Sequence, residues 1–267
     1  YPSRKKYLLF CVIAANFKGI KMIRLFFSFL VLFFISCSGS SAINHFTSDT
    51  GKNILHPEEV SPDVYKVLFD NEDVKVLEVT FAPGQSDNMH DHYPMTIHVL
   101  KGGKVQGTLP DGTVGEREIP DGFTGHQLKG VRHQMKNIGE NAMKIILVER
   151  KTTHSANYSE EELILPEEVS PDRYEVLLDN EDVKVMMVTF PPGEGDNMHE
   201  HGVTTYYAVS GGKVQNTLAD GTVSEMEIPD GFTNHGENLV KHQMKNIGEK
   251  TVKVLLVEHK KLELTRL

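Results

Sequence analysis

The stretch NMHDHYPMTIHVLKGG, Asn88–Gly103, sets two histidines one residue apart and then turns at a Gly-Gly pair. It recurs as NMHEHGVTTYYAVSGG, Asn197–Gly212, where the His-x-His pair survives while most residues between it and the glycines change. Residues two apart on a strand project to one face, so His90 and His92, like His199 and His201, can reach a single cation. The flanking residues extend the match. PEEVSPDVYKVLFDNEDVKV from Pro57 returns as PEEVSPDRYEVLLDNEDVKV from Pro166. Without a gap, through Arg150 and His259, 61 of 94 positions are identical. A repeat of that length is a duplicated domain and not a solenoid unit.

The duplication sets the expected organisation: residues 1–36 a leader and signal peptide, 37–56 a tether, 57–151 a first domain, 152–165 a linker, 166–261 a second domain and 262–267 a tail. Each copy reads as β throughout. DVKVLEVTF and DVKVMMVTF alternate with period two, and MKIILVER and VKVLLVEHK close the copies as further strands. Turn pairs such as Pro83-Gly84, Asp111-Gly112 and Asp220-Gly221 punctuate them. Short strands at this spacing imply a sandwich, jelly roll or closed barrel. The acidic runs Pro57-Glu58-Glu59 and Glu160-Glu161-Glu162 read as solvated surface.

A third histidine follows each pair, in His133-Gln134-Met135-Lys136-Asn137 and at His242. Here the resemblance becomes specific. Gly84-x5-His90-x-His92, with Gly103 after it, resembles the first motif of the cupin superfamily. Gly122-x5-Leu128-x-Gly130-x2-His133-x3-Asn137 resembles the second, with Leu128 where the family usually has proline. Copy two matches at Gly193, His199, His201, Gly212, Gly231, His242 and Asn246, but has Glu237 and Leu239 at the proline and glycine positions. The resemblance implies two tandem jelly-roll β-barrels, each with its three histidines converging on a divalent transition metal inside the barrel. It also implies a glutamate ligand shortly after His-x-His; Thr96 and Thr205 stand there instead, and neither copy has a glutamate between the pair and the glycines. Three neutral imidazoles suit Fe, Zn, Ni or Cu better than Mn, and leave the charge and open positions of the ion for an anionic or chelating ligand. The histidines can also be hydrogen-bonded cavity residues holding no metal.

Other residues are candidates for the surroundings of the metal. His126 and His235 either add a fourth nitrogen or face away, and Thr96, His98, Thr205 and Tyr207 are expected to line the pocket or support its ligands. Between Tyr93 and Lys101 only one of nine positions matches its counterpart, and between Gln127 and Arg132 one of six. That pattern reads as a kept metal site with altered walls, and Leu239 in place of Gly130 as a possible distortion of the second site.

Residues 1–36 hold six cations and no acid, so without them the formal charge falls from −9 to −15. A body that acidic argues against nucleic acid as a partner. From Met22, a basic start, the apolar Leu25–Ile35 segment and Phe34-Ile35-Ser36-Cys37 have the build of a bacterial lipoprotein signal, with Cys37 lipidated and the protein held at the cell envelope by that anchor. An ordinary signal peptide, giving a secreted protein, or an uncleaved anchor is the alternative. The expected function is a metal-binding bicupin that takes a small molecule, as a three-histidine iron dioxygenase first and a metal-assisted hydrolase or isomerase second, or as a non-enzymatic binding lipoprotein. Self-association into a homo-oligomer is compatible with either.

Overall fold

The computed structural model describes residues 54–152 and 162–260. The leader, Cys37, the tether to residue 53, and the acidic run at Glu160-Glu161 lie outside them, as does the tail. Among the described residues no helix is long and apolar enough to cross a membrane.

The first repeat opens with a one-turn helix, α1 (Pro57–Val60), and continues through nine strands: β1 (Tyr65–Asp70), β2 (Val74–Phe81), β3 (His90–His92), β4 (Met95–Lys101), β5 (Gly103–Thr108), β6 (Val114–Ile119), β7 (Thr124–Gln127), β8 (Val131–Asn137) and β9 (Met143–Arg150). The second repeats it element for element: α2 (Pro166–Val169), β10 (Tyr174–Asp179), β11 (Val183–Phe190), β12 (His199–His201), β13 (Thr204–Ser210), β14 (Gly212–Leu218), β15 (Val223–Ile228), β16 (Thr233–Gly236), β17 (Val240–Asn246) and β18 (Val252–His259). Each copy folds into a five-stranded and a four-stranded antiparallel sheet, β1-β2-β9-β4-β7 facing β3-β8-β5-β6 in the first and β10-β11-β18-β13-β16 facing β12-β17-β14-β15 in the second. The hairpin glycines sit where the turns need a positive φ, at +84° for Gly112 and +86° for Gly221.

The short helices depart from the sequence reading. Proline at the first helical position and two acids in the first turn favour a helix start, and that is what Pro57-Glu58-Glu59 and Pro166-Glu167-Glu168 make. Nor is Glu58 solvated. It pairs with Lys75, whose side chain is only 4% exposed, and Glu167 pairs with Lys184 at 2.7 Å.

Strand parity divides β4 and β9 between two apolar regions. Met95, Val99 and Leu147 turn inward to the first barrel's core with Tyr65, Leu77, Val79 and Phe81. Ile146 and Val148 turn outward and join Val76 to Val183, Val185, Tyr207, Leu255 and Val257 of the second repeat in one buried cluster. The five-stranded sheets of the two barrels thus pack back to back. Contacts across this seam are reciprocal: β1 meets β16, and β10 meets β7.

Candidate metal centre

β3 pairs with β8 so that His90 stands opposite His133, and His199 stands opposite His242 between β12 and β17. The ligand-capable atoms of His90, His92 and His133 lie within 4.8 Å of one another, as do those of His199, His201 and His242. His90, His92, His199 and His201 are buried.

Hydrogen bonds decide which nitrogen of each ring faces the centre. His90 Nδ1–H donates to the Asn88 carbonyl at 2.7 Å, and His92 Nδ1–H to Glu149 Oε1 at 2.5 Å. The second barrel repeats both bonds, from His199 to Asn197 at 2.7 Å and from His201 to Glu258 at 2.7 Å. Each ring has therefore spent its proton outward, and its Nε2 presents a lone pair. Yet His90 Nε2 lies 2.8 Å from His92 Nε2, and His199 Nε2 lies 2.9 Å from His201 Nε2. Two lone pairs at that distance repel unless a cation sits with them. Burial, with the charge of the neighbouring imidazoles second, pushes His90 down to about 4 and His201 and His242 down to about 3. His133 is lowered well below the usual range for the same reasons, so these four rings stay neutral at pH 7. Nε2 of His133 and of His242 is buried without a hydrogen-bond partner. The three converging imidazoles of each barrel are a donor set that fits one divalent transition ion.

Three further residues per site escaped the sequence reading. Glu149 and Glu258 orient a triad ring from behind, and such partners raise an imidazole's basicity. Glu149 lies beside the Glu58–Lys75 pair, since Lys75 is its partner in the β2–β9 register. Burial alone would lower Lys75, but the hydrogen bond and charge of Glu58, with Glu149 and Asp70 behind them, raise it. The other two form a phenol–carboxylate pair: Tyr65 O–H donates to Asp87 Oδ2 at 2.8 Å and lies 3.2 Å from His90 Nε2. Tyr174 and Asp196 do the same beside His199, at 2.7 and 3.2 Å. Burial, then Asp87, holds the Tyr65 phenol well above its ordinary value, and burial pushes Asp87 up to about 6. The signal for these residues was available: each is identical in both copies, and Glu149 and Glu258 each follow an apolar run, Ile145–Val148 and Val254–Val257.

The six expected pocket residues lie elsewhere. Thr96 and His98 stand opposite Val148 and Ile146, on the seam side of β4. Thr96 bonds His126 Nδ1 at 3.1 Å and His98 bonds Thr124 at 2.8 Å. Thr205 links His235 and His259, at 2.9 and 2.8 Å, and the His235 ring lies tilted, 6.5 Å from that of Phe69 of the other barrel. Tyr207 belongs to the seam cluster, with its hydroxyl 3.5 Å from Glu78. The altered stretch therefore serves two surfaces: Met95, Ile97 and Val99 wall a cavity, while their alternates meet the second barrel. Leu239 leaves the second triad intact. Its side chain is 48% exposed, and the His199–His201 separation differs from the first by 0.1 Å.

Beside each triad is a cavity, about 170 Å³ in the first barrel and about 120 Å³ in the second. Tyr206 occupies the place of Ile97, and its hydroxyl reaches within 3.6 Å of where a Cβ on Gly236 would stand. Asn216 replaces Gly107 and accepts from His242 Nδ1 at 3.0 Å.

No family model matches the sequence, and no curated protein matches it. Solved structures do. A tryptophan-to-tyrosine variant of oxalate decarboxylase from Bacillus subtilis superposes with a TM-score of 0.52 at 13% identity, over 73% of this chain and 72% of its own. AerE from Microcystis aeruginosa superposes at 0.51 and 16% identity, over 75% of this chain and 98% of its own. Oxalate decarboxylase of B. subtilis carries Mn(II) centres. At such identities the likeness speaks for architecture alone, and the architecture is that of two tandem cupin-type jelly-roll barrels.

Proposed function

We propose that this protein is a metal-binding bicupin, held at the bacterial cell envelope by a lipid on Cys37, that takes a small anionic or chelating molecule at a divalent transition ion in each barrel. The observation that carries the reading is the pair of deprotonated Nε2 atoms 2.8 Å apart in one barrel and 2.9 Å apart in the other. His90, His92 and His133 would hold one ion, and His199, His201 and His242 the other. Imidazole donors favour Fe, Zn, Ni or Cu; the Mn(II) of the decarboxylase is a property of that protein. When bound, such an ion supplies positive charge and open positions for a ligand, and as Fe(II) also for dioxygen. Around it, Glu149 and Glu258 fix the tautomers of His92 and His201. Tyr65 and Tyr174 set phenol oxygens 3.2 Å from His90 and His199 Nε2, with their protons donated away from the centre to Asp87 and Asp196.

Elemental analysis of protein purified without an affinity tag tests the reading. Up to two ions per chain are expected, falling by one in His90→Ala/His92→Ala. A chain that takes up no Fe, Zn, Ni or Cu on reconstitution overturns it. Oxygen uptake over a panel of chelating substrates then separates enzyme from binder: an iron-filled protein that consumes none is a binding protein.

A further inference from the structure

The two cavities differ at one charge. Arg117, on β6, lines the first cavity, and its guanidinium lies 5.7 Å from the centroid of the Phe123 ring, which lines it too. Among the described residues no carboxylate pairs with Arg117, whereas Arg132 is held by Asp91 and Arg173 by Glu194. Burial lowers its pKa, with no acid to offset the effect. A cation with an aromatic face beneath it and no counter-ion, set in a largely apolar cavity, lacks only an anion.

Arg117 and two histidines of the triad, His92 and His133, line the same cavity. Arg117 stands opposite Val105, which stands opposite Asn137, four residues along β8 from His133. At about 3.3 Å per residue and about 4.8 Å per strand the two backbone positions are roughly 16 Å apart, and both side chains reach inward across that gap. Between them Gly107 pairs with Gly115, and the flexible Met135 side chain lies over Gly107, its sulfur 3.3 Å from where a Cβ would stand. In the second barrel the same positions hold Asn216, Ser224 and Met226, and Met226 is 43% exposed and not part of its cavity wall.

We propose that the first barrel selects an organic acid with a short apolar body, its carboxylate on Arg117 and its other end toward the histidine triad, and that the second barrel, with Met226 in that place, lacks this acid site. This rests on the metal-binding reading only for the far end of the ligand; the acid site is made by Arg117, Phe123 and the glycine pair.

The test is calorimetric titration of the full chain, zinc-loaded and metal-free, with hexanoate and with hexanamide. The expected result is one hexanoate site per chain, at least tenfold stronger than hexanamide. Replacing a charged hydrogen-bond partner should cost about ten- to a hundred-fold, so Arg117→Met lowers hexanoate affinity by that factor and leaves hexanamide unchanged. Arg117→Lys keeps part of the preference, and the zinc content of Arg117→Met equals that of the wild type, which reports an intact fold. No hexanoate binding to the wild type, two equal sites, or an Arg117→Met protein that binds hexanoate as before overturns the proposal; in the last case the acid sits on the metal. A chain that binds no metal but keeps Arg117-dependent hexanoate binding overturns the metal reading and leaves this one standing.

Discussion

Glu149 accepts the Nδ1 proton of His92 at 2.5 Å, and both side chains are 1% exposed. The carboxylate comes from the end of a core strand, β9, and the imidazole from the three-residue strand β3, 57 positions apart in sequence. A charge so deeply placed is retained because it holds a ring in one tautomer, and that ring has nothing to offer the barrel except its other nitrogen.

Glu149→Gln preserves shape and removes the charge. It is expected to lower metal affinity in the first barrel about ten- to a hundred-fold. Chelator competition with the second triad disabled by His199→Ala/His201→Ala measures it. An unchanged affinity would show that the carboxylate serves the fold alone.

Acid should unfold the metal-free protein early. His90, His133, His201 and His242 have folded pKa values below the unfolded value near 6.5, so their contribution is present above pH 6.5 and is lost as pH falls toward about 4 and then 3. Each proton taken up only by the unfolded chain steepens the loss by about 1.4 kcal/mol per pH unit. Asp87, raised to about 6, and Asp196, raised by burial as well, oppose this as the pH falls, two carboxyls against four triad histidines. Denaturant midpoints between pH 7 and 4 give the slope; a flat profile would contradict the neutral, buried triads.

The seam makes the barrels interdependent. Ile146 and Leu255 are at most 1% exposed within the shared cluster. Trimming either to alanine should cost about 2–5 kcal/mol by thermal or urea unfolding. Residues 54–152 expressed alone would expose Val76, Ile146 and Val148 and should self-associate or bind an apolar dye. A monomeric, dye-silent fragment would mean that the barrels merely touch.

Envelope anchoring has its own test. Cys37→Ser is expected to move the protein from the membrane to the soluble fraction. Retention of the Cys37→Ser protein on membranes after a carbonate wash would place the anchor elsewhere.

Much of the site was legible because duplication exposed it. His90, His92 and His133 recur with their spacing while their neighbours change, and spacing of two on a strand fixes a shared face. What failed was the facing of β4. Thr96 and His98 lie on the same parity, but nothing local says whether that parity meets a cavity or another barrel. Tyr65, Asp87 and Glu149 were hidden differently: each reaches the metal position from another strand or loop, and only the closed barrel brings them within 3.2 Å or less of the histidines or of one another.

The reciprocal contact of β1 with β16 and of β10 with β7 has the form of the isologous interface between two identical subunits. In a dimer of identical chains every substitution at such an interface arises twice, and a residue near the axis meets its own replacement. Fusing the halves into one polypeptide lifts that restriction. His98 could stay in one half while Tyr207 settled opposite Glu78 in the other, a one-sided exchange that a symmetric pair has no means of making. Covalent linkage also holds the partner at a fixed effective concentration however dilute the protein, so each barrel is free to specialise without first securing its mate.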